Sequence, residues 1–252
     1  MRKLFVIGIG AGNPHQVTMQ AIEAIRRADT FFVIGKGEAK QELERVRAAI
    51  LTEFAAPGHA VVQVEDPPRE RVVEGSDEYR AVVEDWHERR AARLAEAFDR
   101  TDGTGAILVW GDPALYDSTL RMIGRVLDRG ARFDYEVIPG VTSAQALAAA
   151  HRIVLHEIGE PVHITTGRRL RTEGVRPGES TLVMLDGECS FTQIDPDDLH
   201  IWWGAYLGMP DQTLIAGPLR EVRDRIVECR ETLRRAKGWV FDIYLLRKTP
   251  AA

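Results

Sequence analysis

A chain of 252 residues, 44% of them hydrophobic, has the length and apolar content for one large packed domain or two of ordinary size. A formal charge of -5 speaks against a nucleic-acid partner, which needs a positive footprint, although 33 Lys and Arg leave room for a local basic pocket facing a polyanionic small molecule. Cys189 and Cys229 lack the spacing and neighbouring histidines of a zinc site, so no metal is expected and both thiols read as free and reduced.

The chain begins with the apolar run Leu4 to Ile9, too short for a signal-peptide core or a membrane span, so a cytoplasmic protein without a membrane partner is expected. KLFVIGIG, TFFVIG, HAVVQVE, GAILVWGD and DYEVIPG are rich in Val, Ile and aromatic residues, and each ends in a turn residue or a charge; they predict buried strands. Val17 to Ala28 and Leu43 to Phe54 carry helical period between them. Strands and helices therefore alternate as a doubly wound, mostly parallel five-stranded α/β sheet requires. The insertion Asp66 to Arg100 sets Val82, Val83, Trp86, Ala91, Leu94 and Phe98 at near-helical spacing among Arg and Glu, which predicts an amphipathic helical pair with a solvated charged face. The Ala-rich stretch Ser143 to Ala150 reads as helix, and Gly159-Glu160-Pro161 breaks the pattern. A boundary there gives an N-terminal α/β domain over 1–159 and a C-terminal α/β domain over 160–252. In the latter, VHITTG, STLVMLDG, LHIWWGAYL, QTLIAGPL and WVFDIYLLRK are five more strand-like runs with one strong helix, Arg220 to Lys237, which predicts a smaller sheet of mixed direction.

The loop Gly8-Ile9-Gly10-Ala11-Gly12-Asn13-Pro14 invites a dinucleotide reading. In that motif a third glycine follows the second by three residues and an acid closes the second strand. Here Asn13 stands in the first place, and FFVIGKGE offers Gly35 in the second, with Glu38 three residues late. The pyrophosphate cradle thus lacks two of its parts, and glycines that only permit a tight turn are the plainer alternative. Two further loops leave predicted strands at their carboxyl ends, where open α/β sheets build sites. LVWGDPALYDST, residues 108–119, presents Asp112, and VIPGVTSAQALAAA, residues 137–150, offers Thr142 or Ser143 as a helix cap.

These three loops, GxGxG-N/D-P, GDPxxY and PG-V/I-T/S-S/A before an Ala-rich helix, occur in order over nearly the whole chain. In this the sequence resembles the tetrapyrrole methylases, two-domain S-adenosylmethionine-dependent methyltransferases of cobalamin and sirohaem synthesis. The runs WGDPALYDSTLR, DPPRER, DWHERR and STLVMLDGECSF narrow the resemblance to the branch that methylates precorrin-5 at C-1 and releases acetate to give precorrin-6A. The resemblance implies S-adenosylmethionine as cofactor, S-adenosylhomocysteine as product, a tetrapyrrole substrate, a homodimer and an active-site cleft between the domains.

Carried over by motif, Pro14 borders the site, Trp110, Gly111, Asp112 and Leu115 contact the amino-acid and ribose parts of the cofactor, and Thr142 and Ser143 bind its methionine end. Leu185, Asp186, Leu207 and Ala216 are implied to cover adenine and ribose, with Asp186 standing where relatives have Met before the glycine. Gly8, Gly10 and Gly12 are implied to run close beneath the tetrapyrrole. Methyl transfer itself needs alignment more than acid or metal, whereas acetate release calls for water or hydroxide at a carbonyl, with a base in reach. Asp112, Tyr116 and His15 are the candidate catalytic residues, with Asp117 and His87 as further bases. Each has a structural alternative: Asp112 ties its own turn, His15 caps a helix, Tyr116 packs in a core. Arg168, Arg169 and Arg171 either pair with substrate carboxylates or form a solvated basic turn. Rival readings are a methylase of different regiochemistry, a nicotinamide-dependent oxidoreductase, and a non-catalytic tetrapyrrole carrier.

Overall fold

The structure, a computed structural model, describes residues 1–35, 41–68 and 76–248. Its contacts divide the chain into two units, Met1–Gly10 with Pro14–Val141 and Ala11–Asn13 with Thr142–Ala252.

In the first unit, β1 (Lys3–Gly8), β2 (Thr30–Ile34), β3 (Ala60–Val64), β4 (Thr104–Val109) and β5 (Asp134–Ile138) form one parallel sheet in the order β3-β2-β4-β1-β5. The continuous apolar runs are explained by cover on both faces. Phe5 and Ile7 of β1 pack in a cluster with α1 (Met19–Arg27) and α2 (Gln41–Phe54). Leu4 and Val6, pointing the other way, pack with α3 (Ser76–Asp99) and α4 (Thr119–Asp128). α1 begins where the Thr18 hydroxyl accepts the Ala21 N–H at 3.1 Å, and it buries Ala21, Ala24 and Ile25. Between α3 and β2, Phe98 meets Phe32 edge to face at 4.7 Å.

The expected helical pair is instead the single 24-residue α3, because no glycine or proline interrupts Ser76 to Asp99. Residues 69–71 of DPPRER, and Glu38, lie outside the described residues.

The second unit holds β6 (Val162–Thr166), β7 (Ser180–Met184), β8 (Leu199–Ala205), β9 (Thr213–Pro218) and β10 (Asp242–Lys248), ordered β6-β7-β10-β8-β9. β6 and β7 run parallel and the other pairs antiparallel, so the sheet is mixed as expected, although it has as many strands as the first. Three helices accompany it: α5 (Ser143–His151), α6 (Gly167–Glu173), which the sequence pattern did not show, and α7 (Leu219–Lys237). α5 sets Ala144, Ala146 and Leu147 against Leu182, Leu207, Ile243 and Leu245. That packing draws α5 into the second unit, so the contacts divide the chain after Val141, ahead of the break at Gly159-Glu160-Pro161. Among the described residues no helix is long and apolar enough to cross a membrane.

Candidate active site

β1 lies between β4 and β5, in a register that pairs Gly8 with Val109 and Ile7 with Ile138. The three strands end level, so the loops that follow them emerge side by side. Gly10 and Gly111 exchange backbone hydrogen bonds, Gly111 N–H to Gly10 O at 2.8 Å and the reverse at 3.3 Å. A Cβ on Gly8 would fall 2.6 Å from Gly140 N, and one on Gly140 would fall 2.1 Å from Gly111 O. All three motifs therefore meet in one knot of main chain, which only glycine allows.

Asp112 ties this knot. Its Oδ1 accepts the Ala114 N–H at 2.8 Å and its Oδ2 accepts the Gly140 N–H at 2.9 Å, joining the loop after β4 to the loop after β5. The alternative in which Asp112 holds a turn is thus realised, and it extends to a second loop. Further along, Tyr116 adopts a φ of 51° and is 45% exposed, so it is not core packing. His15 is exposed in a short 3-10 turn, Pro14–Gln16, ahead of the Thr18 cap, and does not itself cap α1. His87 is buried on α3 against Trp86. α1 starts only at Met19, so no helix N-terminus follows the glycine loop directly, as a pyrophosphate site requires.

In the second unit, Thr142 forms a capping box on α5: its hydroxyl accepts the Gln145 N–H, and the Gln145 side chain accepts the Thr142 N–H at 2.8 Å. Leu185 follows β7 with a φ of 54° and is 66% exposed. The next residue turns the other way. Asp186 is buried and accepts from Ser190 N (2.6 Å), Ser190 Oγ (2.8 Å), Glu188 N (3.1 Å) and Tyr244 Oη (2.6 Å). Its carboxylate is a structural hub, and Leu185 is the member of the pair that faces outward. Burial, followed by Asp186 itself, pushes the Tyr244 hydroxyl well above its usual range, so it stays a donor. Ala216 is exposed on β9, whereas Leu207 is buried.

The glycines implied to run beneath the tetrapyrrole are packed closely by their own chain. At Gly8, Gly10 and Gly12 the space a Cβ would take is filled by protein: Gly140 N, the Gln16 Cβ at 3.0 Å, and Met209 Cγ at 2.5 Å with Leu207 O at 2.8 Å. On those sides the glycines serve approach of chain to chain. Arg168 and Arg169 lie exposed on α6; Arg169 pairs with Glu173 at 2.6 Å and Arg171 pairs with Glu188, a solvated basic turn. Pattern reading missed Ser190 and Tyr244, which hold Asp186, and Gly140, whose N–H donates to Asp112 in the knot. Only the position of Gly140 after a strand was visible.

A parallel sheet ending in a knot of three glycine loops, in a chain that also carries a mixed sheet, defines a class already known by sequence. A family model, Tetrapyrrole (Corrin/Porphyrin) Methylases, matches residues 3–223, and the chain belongs to that family. More particularly, it is 46% identical over 253 residues to the precorrin-6A synthase (deacetylating) of Sinorhizobium sp, covering 98% of this chain and 96% of that protein. The crystal structure of CobF from Corynebacterium diphtheriae superposes with a TM-score of 0.84 at 38% identity, covering 98% of this chain and 99% of that one. A uroporphyrin-III C-methyl transferase from Thermus thermophilus, complexed with S-adenyl homocysteine, shares the fold at a TM-score of 0.59 and 19% identity, over 97% of this chain and 91% of that one.

Proposed function

We propose that the protein is an S-adenosylmethionine-dependent C-methyltransferase of cobalamin biosynthesis that methylates precorrin-5 at C-1, releasing acetate and giving precorrin-6A. The observation that carries this reading is the full-length relative named precorrin-6A synthase (deacetylating), 46% identical over 98% of the chain. A cytoplasmic homodimer is part of the same proposal.

The residues fit an adenosine cofactor held by main chain and apolar edges. Leu185 and Ala216 are exposed apolar groups, and the two acids among the assigned residues, Asp112 and Asp186, are already hydrogen-bonded within their own units. Bound S-adenosylmethionine supplies a methyl group on a sulfonium, an electrophile that needs no further activation. Pro14, Trp110, Gly111, Leu115, Thr142 and Ser143 are assigned to its amino-acid and ribose parts, and Leu185, Leu207 and Ala216 to adenine and ribose. Asp112 acts through Gly140 as a positioning residue, keeping two loops at fixed separation. Alignment of this kind supplies up to roughly 7–11 kcal/mol of a methyl-transfer barrier. Tyr116 and His15, both exposed, are the groups assigned to activating water for acetate release.

Incubation with precorrin-5 and S-adenosylmethionine, followed by mass spectrometry, tests the reading. One added methyl together with one equivalent of free acetate is expected. A methylated product that keeps its acetyl unit would assign the chain a different regiochemistry, and no product at all would refute the methyltransferase reading.

A further inference from the structure

Three arginines are buried, Arg90, Arg230 and Arg247, and all three are answered. Arg230 donates to Asp242 at 2.8 Å and to Gly187 O at 3.2 Å. Arg247 donates to Ser180 Oγ at 3.0 Å, to Val154 O at 2.6 Å and to Glu157 at 2.5 Å. Arg90 stacks on the Trp86 ring at 4.3 Å, donates to Ser118 Oγ at 3.2 Å, and lies 2.9 Å from Asp66 Oδ1, a close ion pair aimed off the hydrogen-bond direction. Arg47 on α2 is half-buried: like Arg89 and Arg90 it has a buried Nε without a hydrogen-bond partner among the described residues, but unlike them it stands in no ion pair there. Burial pushes its guanidinium below the usual range, with Asp117 and Glu44 pulling it back up. A buried guanidinium N–H without a hydrogen bond is costly unless something arrives to complete it.

Arg47 lines a recess of about 30 Å³ with Ile34, Val109, Arg90, Asp117 and Ser118. That is room for one or two water-sized groups, hence for the head of a carboxylate and not for a ring. It also lines an open trough of about 320 Å³ with His59, Gln63 and Thr52, so its guanidinium can be approached from solvent. Ile34 and Val109 end adjacent strands, and Asp117 and Ser118 belong to the same loop as Asp112, so the recess is part of the carboxyl-end loop set of the first unit.

We propose that Arg47, together with the Ser118 hydroxyl that Arg90 holds, is the receptor for one carboxylate arm of the substrate. The proposal rests on the tetrapyrrole reading, which supplies a ligand bearing many carboxylates. A planar guanidinium with a free edge pairs with a carboxylate through parallel hydrogen bonds, and the Ser118 hydroxyl offers a further donor. Asp117 opposes a bare anion: its Oδ1 accepts the Thr119 N–H at 2.7 Å, but its charge stays beside the recess. A small free carboxylate is therefore held weakly. An arm tethered to a macrocycle arrives at high effective concentration and binds well.

The test uses the full chain with precorrin-5 and S-adenosylmethionine. Arg47→Gln should raise KM for precorrin-5 by about tenfold or more while kcat stays within about threefold, and calorimetric affinity for S-adenosylhomocysteine should not change. Arg47→Lys, which keeps charge and loses the fork, should fall between. The exposed Arg45→Gln should match wild type, its partner being the neighbouring Glu42. A KM within about twofold of wild type for Arg47→Gln overturns the proposal. Should that variant fold poorly, propionate titrated into 15N-labelled wild type gives the answer: the Arg47 Nε–H resonance, assigned by its loss in Arg47→Lys, should shift in the millimolar range. No shift by about 100 mM propionate overturns the proposal. Wild type that shows this shift yet leaves precorrin-5 unmethylated refutes the functional reading and retains the carboxylate receptor.

Discussion

Gly140→Ala is the sharpest perturbation of the knot. The added methyl would sit 2.1 Å from Gly111 O, 2.7 Å from Gly8 C and 2.9 Å from Gly8 Cα, and all three are main chain that cannot rotate away. Relief requires the loops after β1, β4 and β5 to part by about an ångström, which stretches the 2.9 Å bond from Gly140 N–H to Asp112 and disturbs the Gly10–Gly111 pair. Overpacking of this kind costs about 1–3 kcal/mol, and rigid backbone on every side argues for the upper end. At about 2–4 °C per kcal/mol for a chain of this size, melting should fall by about 6–12 °C. Methyl transfer should fall by about a hundredfold, the usual cost of misplacing reacting groups by an ångström. Circular-dichroism melting and single-turnover methylation of precorrin-5 read the two effects. Gly124→Ala is the control: it lies inside α4 with nothing within 4 Å of the added Cβ, so it should stabilise by about 0.5–1 kcal/mol and leave turnover alone. Gly140→Ala melting within about 1 °C of wild type at full turnover would refute the claim that these loops are packed to their limit.

Tyr244→Phe removes one donor from the buried Asp186 carboxylate and should lower stability by about 1.5–3 kcal/mol in urea unfolding, the range for hydrogen bonds to charged groups; a loss under about 0.5 kcal/mol would show that Asp186 does not depend on it. A pH dependence follows from His151, whose Nε2 lies 3.0 Å from Trp203 O. Burial holds its pKa below the usual histidine value, with the backbone bond pulling it back up. The unfolded chain then takes up the proton first, so stability is full above the unfolded pKa of about 6.5 and declines as pH falls toward the folded value. His200, lowered by burial and then by Arg247, adds the same sign. The urea midpoint should therefore drop between pH 7.5 and 5.5, and less steeply in His151→Gln; an unchanged slope in that variant would assign the effect elsewhere.

Much of the fold was legible because its signals are local. Ten apolar runs rich in β-branched residues became β1 to β10, and alternation with helices in the first half marked a parallel sheet. Strand order carries no such local signal, yet it is strand order that creates the site. Only because β1 sits between β4 and β5 do loops about 100 and 130 positions down the chain reach Gly8. Three glycine motifs could be found in the sequence, but their mutual contact, and the bond from Gly140 to Asp112 that secures it, could not. Family resemblance bridged that gap for the motifs. Asp186 was carried over as a cofactor contact, while its carboxylate is taken up by Ser190, Glu188 and Tyr244.

The arginines show why charge is hard to read without tertiary structure. Arg168 and Arg169 drew notice because they cluster after a strand, but a cluster on a surface finds its own partners, as Arg169 does in Glu173. Arg47 was hidden within QELERVRAAILTEF, where it reads as one polar position on an amphipathic helix. What sets it apart is a long-range fact: it lines a recess with residues of β2, β4 and the loop after β4, while nothing among the described residues answers its Nε. A solvated donor is satisfied by water wherever it stands, whereas a buried N–H must be completed by protein or by ligand. Once Arg90, Arg230 and Arg247 are matched to Asp66, Asp242 and Glu157, Arg47 is left without an ion pair among the described residues, and the carboxylate proposal rests on that difference.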